Sequence, residues 1–128
     1  MEQGPVMIPR SSREQSVFHL SNFMEYQPLT KEERLRVEVL LIVHTAFLGE
    51  IGVAVRAISC SWNSSNIKIS IVHDREVSDD DLESAGDVEA EVLAAFPNHT
   101  VDIECSRVDL PHRIPLPISD TWIFVRRD

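Results

Sequence analysis

Residues Trp62 to Pro97 read WNSSNIKISIVHDREVSDDDLESAGDVEAEVLAAFP, and this stretch decides the fold. Asn63-Ser64-Ser65-Asn66 is a run of turn-tolerant residues. After it, Ile67, Ile69 and Ile71 alternate with Lys68, Ser70 and Val72, the period of a strand with two unlike faces. Asp74-Arg75-Glu76-Val77 leads to Ser78, which is placed to cap a helix with Asp81 three residues on. Aspartates in that first turn interact favourably with the positive end of the helix dipole. Leu82, Ala85, Glu89, Val92 and Phe96 mark one side of this helix, with Val88 and Ala95 beside it, and Pro97 ends it. Gly86 is costly in a helix interior and predicts close packing at that point.

Before this stretch, Thr30-Lys31-Glu32-Glu33 forms a capping box. Leu35, Val39, Ile42, Val43, Ala46 and Phe47 then recur at helical spacing, and Gly49 supplies a left-handed stop. The pattern predicts a first helix from about Lys31 to Leu48. Val37, Leu40 and Leu41 widen its apolar surface, so it is either deeply buried or in contact with a second chain. Val53 to Trp62 alternates as a strand, with Val53, Val55 and Ala57 on one side and Ala54, Ile58, Cys60 and Trp62 on the other. With Ile67 to His73 it makes a β-hairpin.

Beyond Pro97, Val101, Ile103 and Cys105 alternate with Asp102, Glu104 and Ser106 in a third strand. Pro111 to Pro117 carries three prolines and is a loop. Thr121 to Arg127 is the last strand. The order α-β-β-α-β-β predicts an α+β fold of two layers, with helices packed on one face of a mostly antiparallel four-stranded sheet. Residues 1–28 show no sustained period and read as an N-terminal extension, in which Val17, Phe18, Leu20, Phe23 and Met24 could form a short docking element. Residues 29–128 are then a single domain, the size at which one core is filled.

Composition narrows the function. The 128 residues carry a formal charge of −9. From Asp74 to Glu104 there are eleven acids against one base, a local charge of −10. Such a balance disfavours nucleic acid and anionic membrane, because phosphate binding needs Lys and Arg to displace counterions. A basic partner suits it better. No apolar run approaches the ~18 residues of a membrane span, and no export signal opens the chain, so the cytoplasm is the expected location.

Chemistry-bearing patterns are few. Asp79, Asp80, Asp81 and Glu83 lack the glycine and the spaced bidentate Glu of a calcium loop, and consecutive helical residues point apart. His19, His44, His73, His99 and His112 include no pair at the spacing of a helical metal site. Gly4, Gly49, Gly52 and Gly86 form no phosphate or dinucleotide loop. Cys60 and Cys105 fall in strand-like runs and read as free thiols. Trp62 and Trp122 sit at strand ends, where a buried Trp is the usual case and an interface anchor the alternative. Nothing joins a nucleophile to a base, so the chain reads as a non-catalytic protein with no metal and no cofactor. The acidic run is then either a solvated helix face or a docking surface for a basic protein. A homo-oligomer joined through the first helix is the alternative function.

Several short motifs add a resemblance. They are Leu48-Gly49-Glu50-Ile51, Arg56-Ala57-Ile58-Ser59, Trp62, Asp74-Arg75-Glu76-Val77-Ser78-Asp79-Asp80-Asp81, Glu91-Val92, Ala95-Phe96-Pro97, Arg107-Val108-Asp109-Leu110-Pro111 and Trp122-Ile123-Phe124-Val125-Arg126-Arg127. With these, the chain from Thr30 to Asp128 resembles small bacterial αββαββ proteins associated with toxin loci, including immunity proteins of contact-dependent growth inhibition systems. The resemblance implies a cytoplasmic inhibitor that binds one toxin domain and blocks its active site or its access to substrate. Toxins that cleave nucleic acid are usually basic, so an acidic face would steer the encounter and occupy the groove meant for phosphate. Charge alone selects Asp74, Glu76, Asp79, Asp80, Asp81 and Glu83 as that face.

Overall fold

Two helices and four strands follow in the expected order in the computed structural model, which describes residues 28–115 and 120–127. The extension expected over residues 1–28 lies almost wholly outside the described residues. The chain divides into two units, 1–34 and 35–128, and the architecture below is that of the second. The elements are α1 (Lys31–Ala46), β1 (Val55–Trp62), β2 (Asn66–His73), α2 (Asp79–Ala95), β3 (Thr100–Arg107) and β4 (Thr121–Val125).

The capping box opens α1 as its sequence dictates. The Thr30 hydroxyl accepts from the Glu33 amide at 3.1 Å, and the Glu33 carboxylate accepts from the Thr30 amide at 2.9 Å. Past the helix end, Gly49 sits at φ 79°, a conformation that a Cβ disfavours. Of the two fates open to this helix, deep burial is not the one adopted. Val39, Val43 and Ala46 are buried, but Val37 is 52% exposed and Leu41 64%.

The strands form one open sheet of order β3-β2-β1-β4. β1 pairs antiparallel with both β2 and β4, and β2 pairs with β3 in parallel. The hairpin turn is held by Asn63, whose Oδ1 accepts from the Ser65 amide at 2.9 Å and the Asn66 amide at 2.8 Å. Parallel pairing requires a crossover, and α2 supplies it. Ile67, Ile69 and Ile71 of β2 join Val39 and Val43 of α1 and Val88 and Val92 of α2 in one core, so both helices lie on the same face of the sheet. Burying each such side chain is worth about 1.5–3 kcal/mol.

Three local expectations need correction. A β-bulge between Val55 and Ala57 breaks the alternation of β1, so Val55 faces the core with Ile58 and Cys60 instead of sharing the side of Ala57. Leu82 does not hold α2 to the sheet. It is 54% exposed, and Ala85, Val88, Val92 and Phe96 make that contact. Gly86 is not closely packed, because a Cβ added there would meet nothing within 4 Å. Gly86→Ala should therefore stabilise the domain by about 1 kcal/mol through helix propensity, raising the thermal midpoint by roughly 4–8 °C in a melting experiment.

Candidate partner-binding site

The six acids selected by charge fall into two groups. Asp74 and Asp81 already have structural partners. Asp74 Oδ1 accepts from the Leu110 amide at 2.8 Å and Oδ2 from Arg126 at 3.2 Å, while the Asp74 amide donates to the Ala54 carbonyl at 2.8 Å. The Leu110 hydrogen bond first, and then Arg126, hold its carboxyl below the usual carboxylate range. Asp81 closes the second capping box: its carboxylate accepts from the Ser78 amide at 2.9 Å and its amide donates to Ser78 Oγ at 3.1 Å. Burial pushes this carboxyl up, but the Ser78 hydrogen bonds together with His73 and Arg75 outweigh it, and the balance lies below the ordinary value. Arg75 Nη1 stands 3.4 Å and buried His73 Nε2 3.9 Å from the Asp81 carboxylate.

These two carboxyls give the acid limb of stability its sign. A carboxyl with a folded pKa below its unfolded value, about 3.9, stabilises the fold fully above that value and loses the contribution as pH falls through the folded pKa. Wild-type protein should lose thermal stability below about pH 4, and Asp81→Asn should flatten that limb while lowering the midpoint at neutral pH. Melting curves from pH 2 to 7 check this. Parallel limbs in the two proteins would remove Asp81 from the account.

Glu76, Asp79, Asp80 and Glu83 form the second group, and all four are exposed. Asp87, Glu91, Asp102 and Glu104 are exposed as well, so eight of the eleven acids between Asp74 and Glu104 face water. Among the described residues none of these eight makes an ion pair. The helix start and the turn before it therefore present carboxylates outside ion-pair distance of any cation among the described residues, although Arg107 lies near enough to Glu76 to feel its charge, and Arg75 is turned onto Asp81 and the Glu76 carbonyl.

The sheet face opposite the helices carries a second surface, and reading the sequence did not single it out. A groove of about 420 Å³ runs across it. Its floor is made of short side chains, Ser59, Ser61, Ser70 and Ser106, and Lys68, Glu104, Asp120 and Trp122 rise from it. Val108, Ile114 and Pro115 form a wall at one side. That wall is fixed from beneath by Arg56, only 7% exposed, whose guanidinium donates to the Val108 carbonyl at 2.7 Å and the His112 carbonyl at 2.9 Å. The Val108 amide donates to the His73 carbonyl at 2.9 Å, and Asp74 holds Leu110. In these contacts Arg56 anchors a loop. Arg107 binds Asp109 through both nitrogens of its fork, with contacts of 3.0–3.2 Å.

Trp122 belongs to this surface and is 42% exposed, so burial at a strand end is not its state. Trp62 is half-buried, with the Arg36 guanidinium 5.7 Å from its ring centre. The alternation of serine and charge through Ser59, Ser61, Lys68, Ser70, Glu104 and Ser106 was the signal that this face is polar, yet it names no ligand. Both cysteines are free. Burial first, then the nearby Asp120 carboxylate, pushes the Cys60 thiol up to about 12, which keeps it protonated and unreactive. Among the described residues there is no group of three or more His, Cys, Asp or Glu side chains placed to hold a metal, and no helix is long and apolar enough to cross a membrane.

The described residues thus combine an open α+β sheet, a polar groove on one sheet face and exposed carboxylates at a helix start. The family model described as MafI2 immunity protein matches residues 36–128, from the second turn of α1 through β4. The chain belongs to the MafI2 immunity protein family. No curated protein matches it.

Proposed function

We propose that this chain is a non-catalytic, cytoplasmic immunity protein that neutralises a basic, nuclease-type toxin domain by binding it. Membership in an immunity protein family supports the inhibitory role. The observation that supports the choice of a basic partner is the unneutralised acidity of one surface. Glu76, Asp79, Asp80 and Glu83 are exposed without ion pairs, while Asp74 and Asp81 brace the turn and helix that display them. A nuclease must present cationic groups to phosphate, and those groups are the natural targets of such a face.

The reading predicts strong salt dependence. Exposed charges more than a Debye length apart are screened, and that length shrinks from ~30 Å at 0.01 M to ~10 Å at 0.1 M salt. The association rate with the toxin domain encoded at the same locus should fall at least ~10-fold between 0.02 and 0.3 M NaCl, with a much smaller change in dissociation. Stopped-flow or surface-plasmon kinetics measure both rates. A salt-independent association rate would contradict the electrostatic part of the proposal.

A further inference from the structure

We infer that the groove on the open face of the sheet is a receptor for an arginine side chain of the toxin domain, separate from the acidic start of α2. Strand register carries the argument. Glu104 lies opposite Ser70, Ser70 opposite Ser59, and Ser59 opposite Trp122, so one row crosses all four strands. The row begins with a carboxylate, ends with an indole and has only hydroxymethyl groups between. At ~4.8 Å per strand it is about 14 Å long. Short side chains flanked by tall ones make a trough, and this row is its floor.

The polar groups in the trough are arranged for a cation. Asp120, two residues before Trp122, accepts from Ser59 Oγ at 3.1 Å. Glu104 stands at the other end of the row. The lining carries two carboxylates against the single ammonium of Lys68, which lies one row away, opposite Asp102 and Ser61. A guanidinium is planar, stacks on an indole face and donates to carboxylates in a fork, whereas an ammonium does only the last as a point charge. The volume of about 420 Å³ falls in the roughly 300–1,000 Å³ range of pockets that take small ligands.

The trough is also preformed. Arg56 and Asp74 hold the 108–112 segment at the wall's start through three hydrogen bonds, at 2.7, 2.9 and 2.8 Å. An incoming side chain therefore need not order the receptor, which lowers the entropic cost of binding. An exposed tryptophan beside a fixed carboxylate and a rigid wall is the composition of an interface anchor site. The inference rests on the reading that the partner is a basic protein, and it assigns to that partner the group that enters this groove.

Two measurements test it separately from that reading. In the first, Nα-acetyl-arginine amide is titrated into the full chain while the Trp122 indole N–H is followed by NMR, with Nα-acetyl-glutamine amide as the neutral control. A saturable Trp122 shift with the arginine probe alone is expected, lost in the Glu104→Gln/Asp120→Asn variant and in Ser70→Phe, which fills the floor. No shift, or an equal shift with the neutral probe, overturns the inference whether or not a toxin is ever bound. In the second, the locus-encoded toxin domain is bound to Trp122→Ala and, independently, to Ser70→Phe, each first shown folded by circular dichroism. Dissociation should accelerate ~30-fold in both, with association little changed. Wild-type dissociation in both variants would place the partner elsewhere and overturn the assignment, while failure of the toxin to bind even the wild-type chain would strike the proposed function alone.

Discussion

Arg56→Met should lower the thermal midpoint by roughly 8 °C or more. The native guanidinium is 7% exposed and donates to two carbonyl groups, Val108 O and His112 O. Methionine fills much of the same volume but donates nothing, so those part-buried carbonyls lose charged partners. Hydrogen bonds to charged groups are worth about 1.5–3 kcal/mol each, and a loss of 2–4 kcal/mol is a reasonable sum once relaxation is allowed. In a domain of this size each kcal/mol moves the midpoint by roughly 4–8 °C. The same substitution should loosen the 108–112 segment, seen as faster amide exchange at Val108 and Leu110 while β2 and α2 keep their protection. A variant that melts with the wild type would show that the loop is held by Asp74 and backbone contacts alone.

Reversing the acidic face should have the largest effect on binding. In Asp79→Lys/Asp80→Lys/Glu83→Lys three negative charges become positive, a change of six in net charge at residues that make no ion pair among the described residues. Electrostatic steering raises association rates by about 10- to 1,000-fold, and reversal removes it and adds repulsion. Association with the toxin domain should slow by ~100-fold at low salt. Stability should change little, because Ser78 and Asp81 still cap α2, although lysines at a helix N-terminus cost a few tenths of a kcal/mol each. A melting curve close to wild type beside a collapsed association rate is the expected pair of results.

Much of the fold was legible because local rules and tertiary packing agree. The Thr30 and Ser78 capping boxes start α1 and α2 where side-chain chemistry puts them, and Gly49 lies past the end of α1 at positive φ. Ile67, Ile69 and Ile71 face the core as their alternation says. The readings that failed involve information that no local window holds. A bulge between Val55 and Ala57, at the residue whose side chain bonds carbonyls more than fifty positions away, shifts the register, so period-two counting misassigned Val55. The expected mostly antiparallel sheet is present, and the one parallel pair, β2 with β3, is a pairing that α-β-β-α-β-β order alone left open.

The candidate site was legible in part, for the same reason. Charge is visible in sequence, so the acidic run could be named before its geometry. Which acids were free was visible only in part. The cap at Ser78 already named a partner for Asp81, whereas the partners of Asp74, Leu110 and Arg126, come from distant chain segments. The groove needed the register. Ser59, Ser70, Glu104 and Trp122 come from four strands, and only pairing places them in one row.

Protection in cells tests the central claim most directly. The locus-encoded toxin domain is induced in a susceptible host that co-expresses either the wild-type chain or the Asp79→Lys/Asp80→Lys/Glu83→Lys variant, matched for soluble level. Wild type should restore growth and the variant should fail to do so. Equal protection by the two would contradict an account in which the acidic face captures a basic toxin.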